Sequence, residues 1–193
     1  MAEMRITGGA LRGRRLYVPK AGMRPTTGRV REAIFSMLGS VEGATVLDLF
    51  CGSGALGIEA LSRGGGFATF VDIKPSAVTR NLYELGITGG EPDRGWVVKS
   101  DVLDFLEREA LLGPTMRYDL ILCDPPYKLA AGLATGLDAV IPGVLAEGGR
   151  VVIETSARNP LQLAEPLIKD KTYGDTLVRV YAPKPVAQGK EPK

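Results

Sequence analysis

Apolar residues recur along this chain in two alternating rhythms. From residue 44 onward, short and nearly continuous apolar runs cover Ala44–Leu49, Phe67–Asp72, Gly95–Lys99, Tyr118–Cys123, Arg150–Glu154, Leu167–Thr172 and Thr176–Ala182. Between them lie stretches with helical spacing at 54–63, 76–86, 102–112 and 130–141, and a shorter one at 159–165. Apolar strands alternating with helices predict an α/β protein whose mostly parallel sheet is covered on both faces. The last two runs are separated only by a segment holding Gly174-Asp175, which demands a hairpin, so one of the seven strands runs antiparallel.

The first 40 residues read differently. Arg5-Ile6-Thr7 and Arg14–Val18 flank Gly8, Gly9 and Gly13, the pattern of a β-hairpin. Val30, Ala33, Ile34, Met37 and Leu38 then form the apolar stripe of an amphipathic helix, with Thr26 or Thr27 as N-cap and Gly39 as stop. This leader holds eight basic and two acidic residues, a balance of +6, whereas residues 41–193 carry −4. A basic leader on a mildly acidic body suits either a polyanionic partner or a solvated arm. The tail 183–193, PKPVAQGKEPK, has the composition of a disordered segment.

Composition narrows the chemistry. The chain has no His, which excludes Ser-His-Asp triads, Cys-His pairs and His-ligated metals. Its two cysteines, Cys51 and Cys123, are too few for a disulfide framework or a four-cysteine metal site and read as buried thiols, so no metal is expected. The start lacks the apolar core of a signal peptide, and the least charged stretch, 129–146, is interrupted by Asp138, Pro142 and three glycines. A cytoplasmic protein without membrane contact is expected.

Two motifs carry candidate chemistry. The first runs from Asp48 through Phe50, Gly52, Ser53 and Gly54 to Gly57, a strand, a tight glycine turn and a helix start; Asp72 follows 20 residues after Gly52, at the end of the next strand. Glycines there admit positive φ and close approach of a ligand, and a strand-end carboxylate can accept from two ribose hydroxyls. The loop alone fits either NAD or S-adenosylmethionine. Asp48 favours the second, because a carboxylate can face a cationic ligand and would repel a pyrophosphate. So does Asp101, with Val102, after the third strand, where it can accept from an adenine amine. The plainer alternatives are a helix-dipole partner for Asp48 and a helix N-cap for Asp101. The second motif, Asp124-Pro125-Pro126-Tyr127, ends the fourth strand. Its prolines fix φ and remove two N–H donors, leaving the Asp124 carboxylate and Pro125 carbonyl as a rigid pair of acceptors beside an aromatic face. That arrangement suits an exocyclic amine on a planar base, held so that its nitrogen can take up a methyl group.

Together, the tract from Asp48 to Arg63 and Asp124–Tyr127 resemble the class I, amino-methylating methyltransferases. Arg5-Ile-Thr-Gly-Gly9, Arg12-Gly-Arg14, Arg24-Pro-Thr-Thr27 and Arg29-Val-Arg-Glu32 narrow the resemblance to the RsmD-type family of small-subunit (16S) rRNA guanine-N2 methyltransferases, over residues 4 to 182. The resemblance implies a Rossmann-like sheet of seven strands and S-adenosylmethionine as methyl donor, with S-adenosylhomocysteine as product. It also implies transfer to the guanine that the family's name numbers 966. Asp124, Pro125, Pro126 and Tyr127 are then the catalytic candidates. Asp48, Phe50, Gly52, Ser53, Gly54, Gly57, Asp72, Ile73, Asp101 and Val102 are the cofactor candidates. Residues 1–40 become an RNA-binding extension of a methyltransferase domain at 41–182. Its candidate RNA contacts are Arg5, Arg12, Arg14, Arg15, Arg24, Thr26, Thr27, Arg29 and Arg31. The expected partner is 16S rRNA, free or within the assembling small subunit, and the expected state is a monomer. Gly28 departs from the family's Pro-Thr-Thr-Asp-Arg run and weakens the helix start. Adenine-N6 or cytosine-N4 methylation, an NAD-dependent oxidoreductase and a non-catalytic RNA-binding module are the competing readings.

Overall fold

Strands buried on both faces form the centre of the molecule. The computed structural model describes residues 4–19, 26–89, 92–113, 116–126 and 130–183. Seven strands, β3 (Thr45–Leu49), β4 (Phe67–Asp72), β5 (Gly95–Lys99), β6 (Tyr118–Cys123), β7 (Leu145–Ser156), β8 (Leu167–Tyr173) and β9 (Thr176–Tyr181), hydrogen-bond in the order β5-β4-β3-β6-β7-β9-β8. The pairs from β5 to β7 are parallel, and β9 runs antiparallel to both β7 and β8. The hairpin expected from the spacing is therefore present, and its second arm is the reversed strand.

Side-chain alternation sends Val46, Leu120, Leu122 and Val152 to one face and Leu47, Leu49, Ile121, Val151 and Ile153 to the other. The first face is covered by α1 (Gly28–Leu38), α2 (Ala55–Ser62) and α3 (Ser76–Glu84); α4 (Val102–Leu112) and α5 (Ala130–Val144) cover the second. The chain moves outward from β3 through β4 to β5, then returns to place β6 on the other side of β3. Strand order reverses there, and such switch points open a crevice at the carboxyl ends of the strands.

Two expectations need correction. No helix forms at 159–165: between Pro160 and Pro166 the chain is irregular, with Leu161 and Leu163 buried and Gln162 outward. That is the two-residue alternation of extended backbone. The Leu161 carbonyl accepts from Arg179 (3.2 Å), and the Ala164 N–H donates to Asp138 (2.8 Å). The stripe of α1 is also rotated. Its buried residues are Val30, Arg31, Ile34, Phe35 and Leu38, so Ala33 and Met37 stand at its margin and an arginine at its centre. Elsewhere the boundaries move slightly: α5 continues through Pro142, and β7 begins five residues early. The tail expectation falls on 184–193, outside the described residues.

The leader shares the core of the sheet. Its hairpin is minimal, β1 (Met4–Arg5) against β2 (Arg15–Leu16), but Met4, Ile6 and Leu16 pack into the same cluster as α1 and α2. The hairpin loop lies directly on the end of α2. The Ala10 N–H donates to the Ser62 carbonyl at 2.7 Å, and the Ser62 hydroxyl donates to the Gly8 carbonyl at 2.6 Å. Gly9 has φ +76°, and a Cβ there would lie 1.7 Å from the Ser62 carbonyl oxygen, so only glycine permits this approach. At its other end α1 is held by cations from the far strands: Arg150 donates to the carbonyls of Leu38 and Ser40, and Lys169 to that of Met37.

Thr27 is the N-cap of α1 and Gly39 its stop. Gly28 takes the first helical position, where an added Cβ would meet Thr7 at 3.4 Å and Arg31 at 3.9 Å, both ordinary contact distances. Gly28→Ala should therefore stabilise the fold by about 0.5–1 kcal/mol, read as a higher urea midpoint at unchanged m-value; a lower midpoint would show that the site needs glycine.

Candidate active site

The turn after β3 is built from alternating left-handed residues: Phe50 (φ 56°), Gly52 (φ 53°) and Gly54 (φ 77°). Phe50 is the one non-glycine in that region among the described residues, a local cost that marks a constrained loop. Inside the turn Ser53 is buried, and its carbonyl accepts from Asn81 of α3 at 2.8 Å. Gly54 and Gly57 are required by packing. A Cβ on Gly54 would meet Val78 at 2.4 Å, and one on Gly57 would meet Phe70 at 2.4 Å and the Asp48 carboxylate at 3.0 Å. The glycine spacing thus lets α2 begin directly over β3 and β4.

Three carboxylates converge around this turn. Asp48, 2 % exposed, accepts from the Gly57 N–H at 2.9 Å, which is the helix-terminus contact its plainer reading requires. Burial, reinforced by Asp124 and Asp72, pushes it up to about 8. Asp72 accepts from the Gly52 N–H at 2.9 Å through Oδ2 and from the Lys74 N–H at 2.7 Å through Oδ1. Each oxygen keeps lone-pair capacity for a hydroxyl donor. Beside it Ile73 is 57 % exposed, a bare apolar surface at the rim. Asp101 caps α4 by accepting from Leu103 (2.8 Å), and its neighbour Val102 is buried in the α4–α5 core, so only the backbone of Val102 can face a ligand.

The second motif leaves β6 beside this turn. Asp124 Oδ2 accepts from the Thr26 hydroxyl at 2.9 Å, and burial pushes the carboxyl up to about 6. Pro125 is buried and Pro126 exposed. Tyr127 lies outside the described residues. A further carboxyl, not singled out from the sequence, stands near the end of β7: Glu154, 4 % exposed. Cys51 and Cys123 are buried thiols whose ionisation burial opposes.

The leader arginines divide into two groups. Arg12, Arg14, Arg15 and Arg29 are exposed, as is Arg5, whose guanidinium donates to Gly13 (2.9 Å). Arg14 donates to the Glu84 carbonyl at 3.3 Å, and Arg80 stacks 4.3 Å from the Tyr17 ring, so the hairpin is continued by α3. Arg31 corrects the expectation of a phosphate contact. It is 1 % exposed and points inward, donating to the carbonyls of Thr26 (2.6 Å) and Arg5 (2.5 Å) and pairing with Glu59 of α2 at 3.5 Å. Thr26 is likewise buried, against Asp124, and Thr27 is spent on capping α1. Arg24 lies outside the described residues.

The Asp48 geometry has a thermodynamic signature. A carboxyl that ionises near 4 in the unfolded chain and near 8 in the fold keeps its proton longer when folded. Stability is then complete below about pH 4 and declines as pH rises toward 8. Asp48→Asn, whose side-chain oxygen can still accept from Gly57, should flatten that decline in the ligand-free protein between pH 5 and 8. Urea unfolding at several pH values measures it; parallel pH dependences for the two proteins would contradict it.

Comparison with known proteins places this arrangement. A family model described as "Conserved hypothetical protein 95" matches residues 4–182. Ribosomal RNA small subunit methyltransferase D of Escherichia coli (strain K12) is 34 % identical over 186 residues, covering 93 % of this chain and 89 % of the relative. The putative rRNA methyltransferase YlbH of Bacillus subtilis is 37 % identical, covering 92 % of this chain and 98 % of its own length. Among solved structures, the putative methyltransferase yhhF from Escherichia coli superposes with a TM-score of 0.78 at 33 % identity, covering 93 % of this chain and 97 % of that one. Matched by the family model over residues 4–182 and by relatives 34 % and 37 % identical over most of both lengths, the chain belongs to the RsmD-type family of rRNA methyltransferases.

Proposed function

We propose that this protein transfers a methyl group from S-adenosylmethionine to the exocyclic N2 amine of a guanine in small-subunit rRNA, the position numbered 966 in the family's name. The observation that carries the reading is the meeting of the two motifs at the switch point. Asp48 and Asp124 lie toward the ends of neighbouring strands on the same sheet face, close enough that the Asp124 charge helps to hold the proton on Asp48, and among the described residues no Lys or Arg is paired with either. A buried hollow of carboxyls in which Asp48 ionises only near 8 without ligand suits a cationic ligand that would hold the carboxylate charged, and a sulfonium compound with an α-ammonium group meets that need.

When bound, the cofactor supplies an electrophilic methyl group; the protein supplies position and charge. Asp72 is placed to accept from ribose hydroxyls, Ile73 to lie against an adenine ring and Asp48 to face the cationic end. Asp124 is ionised above about pH 6 and so is an acceptor at neutral pH. Its carboxylate and the Pro125 carbonyl would each hold one amine N–H, aligning the nitrogen and stabilising the positive charge that develops there. Thr26 fixes the Asp124 carboxylate through one oxygen and leaves the other available. Arg5, Arg12, Arg14, Arg15 and Arg29 lie on the exposed side of the leader, where phosphates flanking a splayed guanine can be reached.

Saturating S-adenosylmethionine or its demethylated product should stabilise the protein, by about 2.7 kcal/mol at a hundredfold excess over Kd, and NAD should not. A thermal shift produced by NAD alone would overturn the cofactor assignment. Asp124→Ala should lower methyl transfer to rRNA at least about a hundredfold while leaving that thermal shift intact; nucleoside digestion of the labelled RNA identifies the methylated base. The double variant Arg12→Gln with Arg29→Gln should reduce the slope of log K against log salt for RNA binding by about 1.4, the value for two single-strand phosphate contacts. An unchanged slope would remove these two arginines from the interface.

A further inference from the structure

Glu154 has no part in the chemistry described so far, yet it stands beside its central residue. Ile153 of β7 pairs with Cys123 of β6, so Glu154 and Asp124 are the next residues on adjacent parallel strands, about 4.8 Å apart at the backbone. Strand alternation puts Glu154 on the face of Val152, beneath the start of α1. On β9 its partner is Val178, fully buried and apolar. The charged and polar groups that face it are Asp124 from β6, Thr26 before α1 and Arg31 within α1. Arg31 pairs with Glu59 and donates to two backbone carbonyls, and its Nε has no hydrogen-bond partner; its charge favours the ionised form of Glu154 but is outweighed by burial and Asp124. Thr26 has one hydroxyl hydrogen, which Asp124 accepts at 2.9 Å and for which Glu154 competes. Glu154 Oε2 has no hydrogen-bond partner.

A buried carboxyl with an unfilled oxygen, next to a second buried carboxyl and without a cation of its own, cannot ionise together with its neighbour at small cost. We infer that Glu154 is a positioning residue for the amine reaction: it retains the proton of the Asp124–Glu154 pair and so leaves Asp124 as the single anion that faces the amine. The inference rests on the amine-binding role given to Asp124 above. Burial and the neighbouring Asp124 charge push Glu154 up to about 8, above the value of about 6 for Asp124, so the pair holds one proton between these limits. Ionisation of Glu154 would repel the Asp124 carboxylate and compete for the Thr26 hydroxyl, disturbing both acceptors at the turn.

Glu154→Gln reproduces the neutral carboxyl and removes its titration. At saturating cofactor and RNA, wild-type kcat should fall above about pH 8, to about one-tenth of its plateau at pH 9. Glu154→Gln should keep the acid limb near 6 and hold the plateau through pH 9, and Glu154→Asp should retain the alkaline fall. Superimposable profiles for wild type and Glu154→Gln would overturn the inference. So would a Glu154→Gln protein that shifts thermally with S-adenosylmethionine but is inactive at every pH. Should that variant fail to fold, loss of the alkaline fall in Glu154→Asp would be equally decisive. An infrared difference spectrum at pH 7 judges the proton without any turnover. The protonated-carboxyl band of wild type should lose one group's intensity in Glu154→Gln, and no loss would refute the assignment. Absence of methyl transfer by wild type would count against the parent reading and leave that spectrum to decide for Glu154.

Discussion

The contact on which the rest of the structure depends is the buried ion pair between Arg31 and Glu59. Neither side chain has more than 1 % exposure. Burial lowers the Arg31 pKa, and the pull of Glu59 offsets part of that effect. Such a pair is stable only when its remaining hydrogen-bonding capacity is filled. On the Glu59 side it is: Glu59 also accepts from the Thr7 N–H (3.0 Å), the Thr7 hydroxyl (2.7 Å), the Gly8 N–H (2.8 Å) and Arg63 (3.0 Å); on the Arg31 side two guanidinium nitrogens donate to the carbonyls of Thr26 and Arg5, and Nε has no hydrogen-bond partner. A single carboxylate on α2 therefore organises the leader hairpin, and a single guanidinium on α1 ties that hairpin to the carbonyl of Thr26. From Thr26 the next contact is Asp124. The helix that follows the glycine turn and the turn that ends β6 are joined through one arginine.

The charge division of the sequence acquires a spatial meaning. Four carboxyls, Asp48, Asp72, Asp124 and Glu154, stand toward the carboxyl ends of β3, β4, β6 and β7, and of these Asp48 and Glu154 keep their protons up to about pH 8. On the proposed function, a nucleic acid drawn by the exposed leader arginines and a cationic cofactor drawn by the strand-end carboxyls would be sorted by charge before any shape is matched.

Most of the fold was legible because the central strands are apolar on both faces, and that pattern has few other readings. The stretch 159–165 was not, since Leu161 and Leu163 between two prolines fit a helical turn or an extended bend equally at that length. The glycine turn and the Asp-Pro-Pro turn were legible because both are local. Arg31 was obscured by its company: in a run of basic residues nothing marks one of them as internal. The signal was nevertheless present, for Arg31, Ile34, Phe35 and Leu38 are themselves spaced i, i+3, i+4, i+7, and that phase is the buried one. Glu154 could not be found this way. Its importance comes from lying next to Asp124, and that neighbourhood exists only once β7 is known to pair with β6.

The seating of Gly9 against the end of α2 bears on how such a protein can change over time. Because the hairpin backbone touches the helix backbone, the leader hairpin cannot be lengthened at Gly9 or hinged away without breaking its seat on the end of α2. On the proposed function, a new target preference would arise from the outward side chains of the leader, while the hairpin and α2 are inherited as one packed unit.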